Sequence, residues 1–235
     1  MLDKAPPTLD HRLWFPDPRE AARVGAYDGL VAIGGDLSAP RLILAYRQGI
    51  FPWTGDPITW WSPDPRAVFE LEHFHVPRSL RRTMRRGEFT VTINHAFRAV
   101  MEGCAEAGPG RRTTWVSPLF IDAYTRLHAQ GHAHSLECWR AGQLVGGVYG
   151  VAIGGFFSGE SMFHRATDAS KVALYFLVQH LLERGFTLFD IQMLTPVTQQ
   201  MGAITIPRDR YLERLGRAVD LPCDFRGSSP ALLIP

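Results

Sequence analysis

"HAHSLECWRAGQLVGGVYGVAIGGFFSGESMFH", His132 to His164, decides the fold class of this chain. Three runs rich in apolar residues, "HAHSLECWR", "QLVGGVYGVAI" and "GFFSGESMFH", are separated by Ala141-Gly142 and Gly154-Gly155, pairs suited to tight reversals. They predict three consecutive strands. The next segment, "DASKVALYFLVQHLLERG", reads as a helix whose apolar positions include Val172, Phe176 and Leu181. Asp168 stands at its capping position and Gly185 just past its end. A further strand, "LFDIQM" (Leu188 to Met193), follows, and then a helix through "RDRYLERLGRAV". An antiparallel meander, one long helix and a further strand make an α+β arrangement on a mixed sheet.

Upstream, the first sixty or so residues are rich in proline and aromatic rings, as in "LWFPDP", "IFPW" and "TWWSPDPR", with no long strand pattern. A short helix runs through "APRLILAYRQG", stopped at Gly49, and Pro63 and Pro65 stiffen a turn that marks a boundary. The expected division is a small domain over residues 1–64 and a larger one over 65–235. Further helices are expected in "HVPRSLRRTMRRGEF", "NHAFRAVMEGCAEA" and "SPLFIDAYTRLHAQG", the last with Ser117 as cap and Gly131 as stop.

Composition narrows the class. With 235 residues, 46% hydrophobic and 20% charged, the chain has enough apolar surface to bury a core, and extensive disorder is excluded. A net charge of +2 is too small to argue for nucleic acid by itself. Cys104, Cys138 and Cys223 form no close pair, which points to a reducing compartment. The N-terminus lacks the charged-then-apolar plan of a signal peptide, and "GGVYGVAIGGFF" is too short and glycine-rich to span a bilayer. A cytoplasmic protein is expected.

Asp190 and Gln192 are the polar pair inside "LFDIQM". At i and i+2 of a strand they share a face, roughly 6.5–7 Å apart. Such groups either close a structural hydrogen-bond network or face a site, because leaving them unpaired is costly. Glu160 and Met162 share a strand face in "GESMFH", and burial of that glutamate would raise its pKa. A carboxylate, an amide and an acid in one cleft suit orienting an amine and polarising a carbonyl. Trp53, Trp60, Trp61, Trp115 and Tyr124 serve either as a core of large rings or as a stacking surface for a base. Arg78, Arg81, Arg82, Arg85 and Arg86 fall within nine residues with no acidic residue among them, a pattern suited to phosphate contacts. His128, His132, His134 and Glu137 match no closed zinc pattern. The glycines of "LVGGVYGVAIGG" form no dinucleotide fingerprint, and "FSGES" lacks nucleophile-elbow spacing.

Taken in order, "GLVAIGGDLSAPRLILAYRQGIFPW", "WWSPDPRAV", "GHAHSLECW", "LVGGVYGVAIGGFFSGESMF", "ASKVAL" and "FDIQ…GAITIPRDRYL" resemble the leucyl/phenylalanyl-tRNA–protein transferases over nearly the whole chain. The resemblance implies a small N-terminal α/β domain followed by a GCN5-like acetyltransferase fold with a mixed, mostly antiparallel sheet. It implies transfer of leucine, phenylalanine or methionine from charged tRNA to proteins beginning with arginine or lysine, in the bacterial N-degron pathway. By position, Asp190 and Gln192 match the catalytic acid and glutamine. Glu160 and Met162 match the aminoacyl site, and Tyr46, Trp53, Trp115 and Tyr124 match aromatic residues there or against the terminal adenosine. Arg78, Arg82, Arg85 and Arg86 match the basic patch for the acceptor stem. On this basis Gln192 would hold the attacking amine and Asp190 would orient Gln192 or relay the proton. No metal or cofactor is required, no membrane is involved, and a monomer is expected.

The chain departs from the family pattern after "DIQ". Val197 stands where a histidine is expected, Gln199 and Gln200 replace small residues, and Ile191 stands where cysteine is frequent. A shifted acceptor preference, for example toward acidic N-termini, is therefore one alternative. A coenzyme A-dependent acyltransferase is another, although "FHRATDASK" offers no glycine-rich pyrophosphate loop. A non-catalytic binder of charged tRNA is the third.

Overall fold

The computed structural model describes residues 6–22, 28–106 and 114–226. The first five residues, part of the stretch judged to lack a leader, lie outside the described residues, as does Ala107 at the end of an expected helix. The proline- and tryptophan-rich N-terminal region forms a four-stranded sheet, in keeping with the α/β domain that the resemblance implied, although its residue pattern gave no strand signal. Its strands are β1 (Thr8–Leu9), β2 (Leu30–Gly34), β3 (Phe51–Gly55) and β4 (Ile58–Trp61), in the order β1-β2-β4-β3. Pro52 is tolerated because β3 lies at the sheet edge. The helix α1 (Ala39–Arg47) connects β2 to β3, and Gly49 takes a φ of 75° at the turn after it.

From Arg66 the chain enters a seven-stranded sheet of order β11-β5-β10-β9-β8-β7-β6. Its strands are β5 (Arg66–Phe69), β6 (Thr90–Ile93), β7 (Ala133–Arg140), β8 (Gln143–Ile153), β9 (Phe156–His164), β10 (Leu188–Gln192) and β11 (Ile204–Ile206). The helices are α2 (Arg78–Arg85), α3 (Phe97–Ala105), α4 (Pro118–Ala129), α5 (Ala169–Glu183), α6 (Pro196–Gln200) and α7 (Arg208–Ala218). Neighbouring strands are antiparallel except β9 and β10, which the crossover through α5 makes parallel. The expected α+β class, with a mixed and mostly antiparallel sheet, is the observed one.

Two apolar clusters flank this sheet. One joins α1, α3, α4, α7 and the small sheet through residues such as Tyr46, Trp60, Phe120, Tyr124 and Tyr211. The other packs α2 and α5 on the opposite face through Leu80, Val172, Leu177 and Phe189. The glycines of β8 serve close packing: a Cβ on Gly146 would sit 2.6 Å from Ala169 Cβ, and one on Gly150 would sit 2.2 Å from Ser158 O. Asp168 and Ser117 occupy N-cap positions without capping through their side chains. Asp168 instead accepts from Thr83 Oγ1 at 2.9 Å and pairs with Lys171 at 3.0 Å, tying α2 to the start of α5.

Candidate active site

The parallel pairing of β9 with β10 ends at Ser158 and Asp190. Beyond it the strands diverge, and a cavity of about 220 Å³ opens between them. Its apolar wall includes Phe69, Val148, Met162, Leu174, Phe189 and Ile191, while Glu160, Gln192, Thr195 and Thr198 supply polar groups.

Asp190 is wholly buried, and both its oxygens are occupied. Oδ1 accepts from Arg66 Nε at 2.8 Å and from the Gln192 backbone N–H at 2.9 Å. Oδ2 accepts from Arg66 Nη2 at 2.6 Å and from the Tyr211 hydroxyl at 3.0 Å. Arg66, only 1% exposed, also donates to Gly49 O at 3.0 Å and lies over the rings of Phe51 and Tyr211. A forked guanidinium against a carboxylate is the arrangement that makes a desolvated pair tolerable. Burial and the carboxylate beside it push the Tyr211 phenol well above its ordinary range.

Gln192 is not a plain second neighbour of Asp190. Asp190 faces Val68 of β5 while Gln192 faces Ala67, so the ladder bulges between them. Gln192 adopts a φ of 57°, a left-handed conformation seldom taken by a residue with a side chain. The bond from its N–H to Asp190 fixes that geometry. Its side-chain amide then turns to β9, with Nε2 donating to Ser158 Oγ at 2.8 Å and to Glu160 Oε1 at 3.2 Å. Ser158 Oγ in turn donates to Glu160 Oε1 at 2.9 Å. Among the described residues nothing donates to Gln192 Oε1. The two side chains therefore do not share a face as the spacing predicted: Asp190 holds Arg66 and Tyr211, the Gln192 amide turns to β9, and the two meet only through the Gln192 backbone N–H.

Glu160 is half-buried at the cavity wall. Burial is the largest influence on its carboxyl, raising it from 4.5 to about 7; hydrogen bonds from Ser158 and Tyr46 oppose the rise. The Tyr46 and Tyr124 hydroxyls hydrogen-bond to each other behind it. Both phenols are pushed well above 10, first by burial and then by the Glu160 charge.

The remaining expected residues separate into groups. Met162 lines the cavity; Tyr46 and Tyr124 are buried in the first apolar cluster. Trp53 and Trp115 are half-buried against that same cluster, Trp53 edge-on to Trp61 at 5.3 Å and Trp115 edge-on to Phe120 at 5.1 Å. They do not line the cavity, but Gly55, two residues from Trp53, packs on Phe120 and Leu119. Arg78, Arg82, Arg85 and Arg86 are exposed on α2 and at its end, with no ion-pair partner among the described residues. Leu80, Val76 and Met84 anchor the opposite side of that segment in the second cluster. Val197 packs against the second cluster and Gln199 and Gln200 are exposed, so these three lie off the cavity, whereas Ile191, the fourth departing position, lines it. The histidines His128 and His134 are absorbed by backbone carbonyls and aromatic stacking, and Glu137 by Thr92, Ser135 and the His95 N–H. No group of three metal-ligating side chains suited to an ion occurs among the described residues.

Arg66, Tyr211 and Ser158 were missed from sequence. A lone arginine heading the apolar run "RAVF" needs an internal carboxylate, and Asp190 is an acid inside an apolar strand. That mismatch was the available signal.

Comparison with known proteins follows the same outline. Residues 68–216 match the family model described as leucyl/phenylalanyl-tRNA protein transferase, and residues 35–64 match the model for its N-terminal domain. Leucyl/phenylalanyl-tRNA–protein transferase of Chromohalobacter salexigens is 50% identical, covering 90% of this chain and 83% of that protein. The protein of the same name from Citrobacter koseri is 49% identical, covering 92% of each. That from Nitratidesulfovibrio vulgaris is 52% identical, covering 88% of each. Among solved structures, a GCN5-related N-acetyltransferase from Kribbella flavida aligns with a TM-score of 0.38 at 12% identity, over 69% of this chain and 59% of that one. No helix among the described residues is long and apolar enough to cross a membrane.

Proposed function

Because the chain belongs to the leucyl/phenylalanyl-tRNA protein transferase family, it is an aminoacyltransferase drawing on aminoacyl-tRNA, and we propose the finer reaction as follows. It transfers leucine, phenylalanine or methionine to the α-amine of proteins that begin with arginine or lysine, marking them for the bacterial N-degron pathway. It works as a cytoplasmic monomer. The division into residues 1–64 and 65–235 separates the small sheet from the large one, and the second part carries the transfer site.

The observation that carries this reading is the convergence of Gln192 and Glu160, linked through buried Ser158, on one mostly apolar cavity. Its volume is below that of drug-sized pockets and suits one apolar side chain rather than a nucleotide. Such a wall discriminates weakly between neighbouring aliphatic and aromatic side chains, in keeping with several donors. Gln192 Oε1 can accept from the incoming amine while its Nε2 stays tethered to β9. The ester is already activated, so holding the amine in line supplies much of the acceleration. We assign half-buried Trp53 and Trp115 to the terminal adenosine, Tyr46 and Tyr124, buried behind Glu160, to shaping the aminoacyl site, and exposed Arg78, Arg82, Arg85 and Arg86 to acceptor-stem phosphates.

The test supplies labelled leucyl-, phenylalanyl- and methionyl-tRNA with peptides beginning Arg, Lys, Asp, Glu or Ala. Transfer to the Arg and Lys peptides is expected. Transfer to the acidic peptides alone would reverse the acceptor assignment, and transfer to none by folded protein would refute the reading.

A further inference from the structure

Two carboxylates belong to this network, and their surroundings differ. Asp190 accepts four hydrogen bonds, two of them from Arg66, and its contact with Gln192 is through the backbone. A carboxylate held in this way has no oxygen left to face a substrate. Glu160 lies in the cavity wall, accepts from Ser158 Oγ and the Gln192 amide on Oε1, and has the Tyr46 hydroxyl behind it. Its carboxylate therefore adjoins both the cavity and the amide that would hold the amine.

We propose that Glu160 is the catalytic residue that takes the proton of the attacking amine, while Asp190, Arg66 and Tyr211 are positioning residues that hold Gln192 in its left-handed conformation. The inference rests on the aminoacyl-transfer reading above. In the step, the neutral α-amine nitrogen bonds to the ester carbonyl carbon, and the bond from that carbon to the ribose oxygen breaks. One N–H proton passes to the Glu160 carboxylate, and the resulting carboxyl group then delivers it to the departing ribose oxygen. Atoms and charge balance without any further reactant.

The groups facing Glu160 support the role. Tyr46 from α1 and Tyr124 from α4 stand behind it, Ser158 lies on its own strand, and Gln192 and Asp190 come from β10. Arg66 from β5 offsets the Asp190 charge, so the pair acts on Glu160 almost as a neutral unit. Burial, the largest influence, leaves the Glu160 carboxyl at about 7. That is close to the α-amine range of about 7.7–8.0, the match a general base requires.

The experiment measures leucine transfer from leucyl-tRNA to an arginine-initiated peptide by the full chain, from about pH 5.5 to about pH 9. Wild-type kcat should rise through an inflection near neutrality. Glu160→Gln keeps an acceptor oxygen but not the proton site. It should lower kcat by about 100-fold or more, remove that inflection, and leave KM for leucyl-tRNA within about threefold. Glu160→Asp should retain an inflection at reduced rate, shifted from the wild-type position. Asp190→Asn, where folded, should keep the wild-type inflection. A Glu160→Gln enzyme with kcat within about fivefold of wild type, or with its inflection intact, overturns the proposal. If that variant fails to fold, Glu160→Asp decides: a shifted inflection supports the assignment and an unshifted one overturns it. Wild-type protein that transfers to no peptide would remove the aminoacyl-transfer reading and this inference together. Wild-type transfer with an indifferent Glu160→Gln removes the inference alone.

Discussion

Replacing Arg66 with methionine removes the partner of a wholly buried carboxylate. Arg66 and Asp190 are 1% and 0% exposed and meet through two bonds of 2.8 and 2.6 Å. Without the guanidinium, Asp190 keeps two of its four donors, Tyr211 and the Gln192 N–H, and Gly49 O loses its side-chain donor. Methionine restores most of the packing volume but neither the charge nor the stacking over Phe51 and Tyr211. Breaking a buried pair from one side costs about 3–5 kcal/mol, because the surviving charge is left uncompensated. Domains are stable by roughly 5–15 kcal/mol, so the variant should fold but sit close to its threshold.

Urea unfolding followed by tryptophan fluorescence reads this directly. With a slope of about 3 kcal/mol per molar urea, the midpoint should fall by roughly 1–1.7 M. The double variant Arg66→Met with Asp190→Leu removes both charges, and it should recover most of the loss while remaining inactive. The two substitutions share one bond network, so their effects should be strongly non-additive. A loss below about 1 kcal/mol for Arg66→Met, or additive effects in the double variant, would refute the picture of Asp190 as a neutralised anchor.

Two further outcomes are expected elsewhere in the molecule. His134, stacked on Phe225 and held by burial at about 3 rather than 6.5, stays neutral in the fold, so acid favours the unfolded chain between those values. Lowering the pH from about 7 to about 4.5 should cost roughly 2–3 kcal/mol through this group, with Glu160 acting oppositely as its burial cost is relieved toward acid; a His134→Gln variant whose urea midpoint shows an undiminished acid fall would contradict this. Replacing Arg82 and Arg85 with glutamine should weaken tRNA binding and lower the slope of log affinity against log salt by roughly 0.7–0.9 per lost phosphate contact, and an unchanged slope in a filter-binding titration would rule out those contacts.

The central strands were legible because their signals are local. β8 begins and ends at the residues its apolar run predicted, and Ala141, Gly142 and Gly154 take the positive φ values that their turns demand. The small sheet was not legible. Its strands run two to five residues, β3 contains a proline, and β4 pairs between two strands that both precede it. Its tryptophans spoke for burial without saying in what secondary structure. Likewise β5 was hidden, since "RAVF" acquires its meaning only beside β10, with Arg66 and Asp190 separated by 124 positions. Period-2 spacing put Asp190 and Gln192 on one face, but a bulge that no local pattern announces redirects the glutamine toward β9.

That bulge explains why a strand end serves here better than a regular strand would. In an unbroken ladder both carboxylate and amide would lie over the first apolar cluster, and neither would reach the diverging edge of β9. Asp190 spends its charge inside the protein: one face of its carboxylate is bound by Arg66 and Tyr211, and its remaining lone pair captures the Gln192 N–H. The left-handed turn so fixed carries the amide past the last paired residue, Ser158, to the place where the two strands separate. A backbone conformation costing about 1–3 kcal/mol persists where its surroundings over-determine it, and four donors on one buried carboxylate do so. Two carboxylates nearby in space are thereby given different surroundings, one with both oxygens bound by Arg66, Tyr211 and the Gln192 N–H, the other raised by burial to about 7. The division explains why Asp190 and Glu160 are both present in a network that needs one proton acceptor. It also separates their substitutions: loss of Asp190 should act first on the fold around Gln192, and loss of Glu160 on the pH dependence of transfer.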